Sequence, residues 1–351
     1  MIKHTDISTL GEIGLIERVR QIVDIRVDDA TIHERLILGI SDDTAVFRPD
    51  PGKVMLLTTD SFIEGVHFDL TFTSLRHLGW KAMAANLSDI AAMGGSPRYA
   101  VVSLSLPKKV SIEMVDEFYA GAIAACKRYS FLIVGGDMSA SMGNIAITVA
   151  LTGEAKEEQV LYRKTAKPGD LLCVSGHLGA SHAGLKVLQR EKQRYHDAPD
   201  PATFKPNLEQ YTLALEKHLM PKPRFDISAL LAGRVTTHAA IDISDGLASE
   251  VHRICTASGV GAKVYEHNIP LDSVTRNIAI EFSESPTDYA LFGGEEYELL
   301  FTMEDAEFEK LESLTSDATI IGRITEQSEG IRLVKESGEE EELKAIGWRH
   351  F

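Results

Sequence analysis

The chain has 351 residues, 44% of them apolar, which is enough for two domains with cores of their own and too apolar for a disordered chain. A formal net charge of -16 argues against nucleic acid and anionic membranes as partners, and it makes a phosphorylated ligand dependent on cations. Cys126, Cys173 and Cys255 are far apart with no CxxC pair, which excludes a zinc knuckle and a disulfide framework. The opening MIKHTDISTLGEIG has no apolar region of the signal-peptide kind, and no apolar run reaches membrane-spanning length. The expectation is a soluble cytoplasmic protein.

In chain order, GEIGLIERVRQIV carries apolar residues at helical spacing and predicts an amphipathic helix. VMLLTTD predicts a short strand, and SLRHLGWKAMAANLSDIAAMGG a long helix stopped by Gly94 and Gly95. RYAVVSLSLP predicts a strand ending at Pro107, and SIEMVDEFYAGAIAACKRY a helix with Ser111 as N-cap. FLIVGGD predicts a buried strand running into a Gly135-Gly136 turn, followed by the strand NIAITVALTG. A connection, EAKEEQVLYRKTAKPGD, leads to a strand, Gly turn and helix in DLLCVSGHLGASHAGLKVL. Residues 190–220 are polar and predict an exposed insertion with a helix near its end. Then come the strand THAAIDISDG, the helix LASEVHRICTASG, the strand AKVYEH, a helix near LDSVTRNIAIEF, and the strand of GGEEYELLFTM behind a Gly293-Gly294 turn. The acidic stretch Glu336–Glu342 is a solvated hairpin or loop. Domain limits of 1–153 and 154–351 follow.

Seven aspartates stand beside apolar strands or on a small-residue helix face: Asp42, Asp43, Asp60, Asp89, Asp137, Asp242 and Asp245. At a strand end an aspartate is commonly a turn former or cap. Asp89 is different, because it lies among Ala85, Leu87, Ile90 and Ala91, where a solitary carboxylate is costly to bury. With Thr58 and Thr59 these acids make a hard-oxygen set suited to several Mg²⁺ ions bridging an anion. The histidines show no HxxxH or HExxH spacing for zinc. The paired glycines allow backbone N–H groups to approach phosphate. A P-loop is rejected: Gly179 and Gly184 have its spacing, but Lys186 is one place late and no Ser or Thr follows.

GISDDTAV, TTDSFIEGVHF, KAMAANLSDIAAMGGSP, FYAGAIAAC, IVGGDMS, RKTAKPGD, DISDGLASEVHRI, GGEEYELLFT and GWRHF occur in one order over nearly the whole chain. In these motifs the sequence resembles the thiamine-monophosphate kinases, of the superfamily that includes aminoimidazole ribonucleotide synthetase. The resemblance implies a PurM-like α/β fold of two domains, the N-terminal one with a mixed sheet and pairing in a homodimer. It implies ATP as co-substrate and thiamine monophosphate as acceptor, with ATP in a cleft partly walled by the dimer partner. It makes Asp42, Asp43, Thr58, Thr59, Asp60, Asp89, Asp137, Asp242 and Asp245 Mg²⁺ ligands. Tyr119, Gly136, Asp137, Arg163 and Ser244 would contact ATP, and His67, Glu295 and Trp348 the thiamine phosphate, with Asp60, Asp137 and Arg163 serving catalysis. Ser41 and Thr165 stand where family members commonly have Gly, and His177 and Ala180 also depart from the usual pattern; no carboxylate is lost.

The implied reaction is direct transfer of the ATP γ-phosphoryl group to a phosphate acceptor, which needs relief from charge repulsion and no general base. On the residues alone, Trp348 either stacks on a cationic ring or packs the tail, and Tyr119 is either core or an adenine neighbour. The sequence leaves three readings to separate: this kinase, an aminoimidazole ribonucleotide synthetase-like ligase, and a non-catalytic nucleotide-binding scaffold. A selenophosphate synthetase is disfavoured because the first cysteine is Cys126, and a hydrogenase-maturation dehydratase because the chain ends GWRHF.

Overall fold

The computed structural model describes residues 5–40, 44–200 and 203–347. The chain divides into two compact units, Met1–Ile90 with Gly95–Glu157, and Ala91–Gly94 with Glu158–Phe351. Among the described residues no helix is long and apolar enough to cross a membrane.

The first unit opens with α1 (Gly11–Val23) and the short α2 (Ala30–Arg35), whose N-cap Asp29 accepts from Thr31 N–H. A small hairpin of β1 (Leu36–Leu38) and β2 (Val46–Phe47) follows. The main sheet contains β3 (Val54–Ile63), β4 (Ser96–Leu106), β5 (Leu132–Ala140) and β6 (Ala146–Ala155) in the order β3-β6-β4-β5. β4 and β5 run parallel and the other pairs antiparallel, so the sheet is mixed. Between the strands run α3 (Leu75–Ala92) and α4 (Ile112–Tyr129). Ser111 caps α4 by accepting from Met114 N–H, as its sequence predicts.

Period-2 alternation divides this sheet into two faces. Phe62, Val149, Leu151, Val102 and Leu104 are all under 5% exposed and line one face. The other carries Leu57 at 76% exposure, with Met55, Ile63 and Val101 near 40%.

One expectation fails here. Gly135 and Gly136 form no turn; β5 runs straight through them, paired with Val101 and Val102. A Cβ on Gly136 would come within 2.0 Å of the Val102 carbonyl oxygen, so the glycine serves close strand approach beside the irregularity at Ala100/Val101.

The second unit has β7 (Leu171–Ser175), α5 (Ala180–Asp197), α6 (Thr212–Leu219), α7 (Phe225–Gly233), β8 (Ala239–Asp242), α8 (Leu247–Ser258), β9 (Gly261–Tyr265), α9 (Ser273–Glu281), α10 (Pro286–Phe292), β10 (Leu299–Met303), α11 (Asp305–Glu312), β11 (Ala318–Thr325), β12 (Ile331–Val334) and β13 (Glu340–Glu342). Its sheet order is β13-β12-β9-β11-β7-β10-β8. Central strands are buried on both faces: Leu172 and Val174 pack with Val251 and Ile254 of α8, while Leu171 and Cys173 pack with Ile227, Leu231 and Phe308. That explains why LLCV and LLFTM are continuous apolar runs without alternation. The acidic stretch ends in a hairpin, β12 against β13, with Glu340 paired to Lys263 at 2.9 Å.

The exposed insertion expected at residues 190–220 is also corrected. α5 continues to Asp197, and Glu191, Tyr211, Ala214 and His218 are each about 5% exposed or less. Tyr211 and Ala214 join Ala183, Val187, Ile278 and Tyr289 in a core cluster, so the segment is part of the unit. Its polar composition hid four buried positions among many solvated ones.

Candidate active site

In the first unit, Thr58, Thr59 and Asp60 follow one another on β3 and so alternate between faces. Thr58 Oγ1 donates to the Asp89 carboxylate of α3, which answers how that half-buried acid is accommodated. Thr59 turns to the open face, where its hydroxyl donates to the Val149 carbonyl at 2.9 Å. Asp60 shares the Thr58 face and pairs in register with Val149.

Asp137 lies elsewhere. It pairs with Ser103, and Ser103 pairs with Thr148, the neighbour of Val149; Asp137 therefore belongs to the opposite face from Asp60. It is also three strands away, about 14 Å at a strand spacing of about 4.8 Å. Its carboxylate is exposed and accepts from Ser139 Oγ at 2.8 Å. Ser61, Thr148 and Ser103 cross the open face in the same row, Ser61 and Thr148 sharing a hydrogen bond of 2.8 Å.

His67 is half-buried in the turn after β3, where Nδ1 accepts from Ile63 N–H at 3.0 Å. That assigns the ring hydrogen of the neutral tautomer to Nε2. Tyr119 is 2% exposed, its ring edge-on to Phe118, and burial raises its phenol pKa. It is a core residue of α4. Asp42, Asp43 and Trp348 lie outside the described residues.

The second unit gathers its candidates more tightly. β8 ends at Asp242, 6% exposed, and the chain beyond it stays paired with the segment before β10. Ile243 N–H donates to Glu298 O at 2.8 Å, Tyr297 N–H to Ile243 O at 2.9 Å, and Glu295 N–H to Ser244 O at 2.7 Å. Glu295 and Tyr297 adopt φ of 64° and 54°, left-handed backbone that non-glycine residues rarely take. Such strain persists where surrounding bonds over-determine it, and here those bonds lock Ser244, Asp245 and Glu295 into one constellation.

Asp245 is clamped from α8. The Arg253 guanidinium pairs with its carboxylate and donates to Glu250 Oε1 at 2.6 Å, and Glu250 Oε1 also accepts from Asp245 N–H at 3.2 Å. Glu250 is fully buried, which raises its pKa. The tail reaches the same loop: a Cβ added to Gly347 would stand 2.1 Å from the Asp245 carbonyl oxygen. Arg163 is exposed and not part of this constellation. Its carbonyl accepts from Ser258 Oγ at 3.1 Å, at the opposite end of α8 from Asp245, about 16 Å along a helix rising 1.5 Å per residue.

Beneath Glu295 lie two acids that the sequence pattern did not single out, Glu296 and Glu298, each 1% exposed. Glu296 Oε1 accepts from Ser181 N–H at 3.1 Å at the start of α5. Its pKa is pushed up to about 8 by burial and by Glu298, against the opposing pull of Lys217. Glu298 is satisfied by Ser175, Lys217 and Arg224, each at 2.6 Å. The signal was present in GGEEYELLFT: three acids in an apolar context, the same criterion that singled out the aspartates.

Among the described residues no three His, Cys, Asp or Glu side chains are gathered closely enough to hold one ion. The donor types suit Mg²⁺: the candidate positions carry carboxylates and hydroxyls, Thr58 and Asp89 in direct contact, and the three cysteines are buried.

A two-unit α/β chain with mixed sheets agrees with the family that the sequence matches, the AIR synthase related proteins, whose N-terminal domain covers residues 41–155 and whose C-terminal domain covers residues 167–335. Thiamine-monophosphate kinase of Aquifex aeolicus (strain VF5) is 36% identical over 97% of this chain and 98% of its own length. AaThiL complexed with AMPPCP and TMP is similar at a TM-score of 0.74 and 33% identity, covering 100% of both chains. Thiamine-monophosphate kinase from Stenotrophomonas maltophilia K279a is similar at a TM-score of 0.76 and 32% identity, covering 93% of this chain and 96% of that one. The chain belongs to the thiamine-monophosphate kinase family.

Proposed function

We propose that this chain transfers the γ-phosphoryl group of ATP directly to the phosphate of thiamine monophosphate, giving thiamine diphosphate and ADP. What carries this reading is the locked Ser244–Asp245–Glu295 constellation, in a chain that aligns end to end with a relative whose structure holds AMPPCP and TMP.

The acceptor is a phosphate monoester with a second pKa of about 6, so much of it is a dianion at neutral pH and needs no general base. The obstacle is repulsion between two polyanions meeting in line. Mg²⁺, when bound, supplies the bridging positive charge. Thr58, Thr59, Asp60, Asp89, Asp137, Asp242 and Asp245, with Asp42 and Asp43, present the oxygens for it. Arg163 offers a fixed fork of donors to the phosphates, and Ser244 and Gly136 line the nucleotide. Tyr119 is the proposed adenine neighbour, though at 2% exposure it is packed within its own unit. Glu295, His67 and Trp348 receive the thiamine phosphate, the carboxylate facing the cationic, nitrogen-rich end. A covalent phosphocysteine is disfavoured, because burial raises the pKa of all three thiols.

The reading assigns nucleotide binding and pairing to residues 1–153 and the AIR synthase-like C-terminal domain to residues 154–351. Asp60 and Asp137, on opposite faces and three strands apart, reach one ion only if the second comes from another copy. β3 and β5 are the two edges of their sheet, and the exposed Met55, Leu57, Ile63 and Val101 give the open face an apolar surface to cover. Both observations support a homodimer, which the reading places in the cytoplasm.

ADP release measured with thiamine monophosphate, against a ribonucleotide amide as rival substrate, tests the proposal. Turnover with the amide alone would assign the chain to the ligase class; turnover with neither would leave a scaffold.

A further inference from the structure

His218 is 4% exposed on α6, in the stretch whose composition reads as a solvated insertion. It reaches the interior because α6 crosses α5 very closely. A Cβ on Gly184 would stand 2.2 Å from the Ala214 carbonyl oxygen and 3.1 Å from His218 Cβ. That approach sets the imidazole over the first turn of α5, where Nδ1 lies 3.2 Å from Ser181 Oγ. The same Nδ1 is 3.6 Å from Glu295 Oε2. Ser181 is itself fixed, since its backbone N–H donates to the buried Glu296 carboxylate.

We propose that His218 is a positioning residue, holding the Glu295 carboxylate in the orientation that receives the cationic, nitrogen-rich end of thiamine monophosphate. The proposal rests on Glu295 being a substrate contact, as read above. The physical need is plain. Glu295 sits on left-handed backbone at φ 64°, its side chain is partly exposed, and a carboxylate on a short irregular segment has several rotamers open to it. With its hydrogen on Nδ1, the imidazole presents one N–H to both Ser181 Oγ and the Glu295 carboxylate, which narrows the rotamers open to Glu295 before the substrate arrives and lowers the ordering cost of binding. α6 thereby belongs to the acceptor end of the site.

Calorimetric binding of thiamine monophosphate and of AMPPCP to the full chain tests it, using His218→Leu, His218→Asn, Glu295→Gln and the His218→Leu/Glu295→Gln double variant. The asparagine amide nitrogen occupies the place of Nδ1, so His218→Asn is the conservative rescue. His218→Leu is expected to weaken thiamine monophosphate roughly tenfold and to leave AMPPCP within about twofold; His218→Asn restores the first. In the Glu295→Gln background, His218→Leu adds no further loss. Should the leucine variant not fold, His218→Gln, whose amide reaches the Nε2 position instead, replaces it. Equal weakening of both ligands, normal acceptor binding by His218→Leu, or an undiminished effect in the Glu295→Gln background each overturns the proposal. If Glu295→Gln alone binds the acceptor normally, the reading of Glu295 falls and takes this one with it. If Glu295→Gln is weak while His218→Leu is normal, only the role of His218 falls.

Discussion

The two units hold their acidic residues in different ways. In the second, Ser244, Asp245 and Glu295 are stitched together by backbone bonds from Ile243 to Glu298, and Asp245 is clamped by Arg253 and Glu250. In the first, Asp60 and Asp137 stand apart, on opposite faces of one sheet. The difference is that the second unit brings its candidate residues together within one segment pair, whereas the first keeps Asp60 and Asp137 apart on its sheet.

The strongest way to break that comparison is Asp60→Asn or Asp137→Asn. Each is expected to cut thiamine diphosphate formation by roughly two to three orders of magnitude with an unchanged circular dichroism spectrum. Co-expressing the two variants sharpens it. If the acids meet across a dimer, half of the randomly paired dimers are mixed and each has one intact site, so about a quarter of normal turnover returns. If both must come from one chain, mixing returns nothing.

Leu57→Asp, on the most exposed apolar position of β3, is expected to convert dimer to monomer by sedimentation and to lower turnover with it. A dimeric, active Leu57→Asp would dissociate the open face from pairing. In the second unit, Glu295→Gln is expected to weaken thiamine monophosphate about tenfold while sparing AMPPCP, a loss confined to one ligand because the constellation's backbone bonds survive.

A smaller effect concerns the support beneath that constellation. Glu296 holds its proton up to about pH 8 in the folded chain, against 4.5 for an ordinary glutamate. Between those values the folded state binds a proton that the unfolded state has lost, so stability falls as pH rises through the window. Glu296→Gln should flatten that slope in thermal melts from pH 5 to 9, and a slope as steep as the parent's would relocate the buried proton. Smallest is Ser111→Ala, which removes the cap of α4 and should cost about 1 kcal/mol of stability without touching turnover.

Much of the fold is legible in the sequence because it is local. The helix Gly11–Val23 follows from apolar spacing, α4 from its Ser111 cap, and the end of α8 from Gly259, which adopts φ 68°. The Gly135-Gly136 pair misleads because paired glycines signal a turn or a close strand approach equally well, and only the partner strand decides. Residues 190–220 mislead because four buried positions scattered through a polar stretch carry no periodic signal.

The sequence by itself determined the elements, the set of acids and their family order, since capping, periodicity and composition act over a few residues. Tertiary structure alone decided which acids stand together, because alternation around a strand and its place in the sheet separate Asp60 from Asp137, while pairing between distant strands unites Ser244 with Glu295. It also decided that His218 faces Glu295, through a helix crossing that depends on the close approach of Gly184 to Ala214, two residues far apart in the chain.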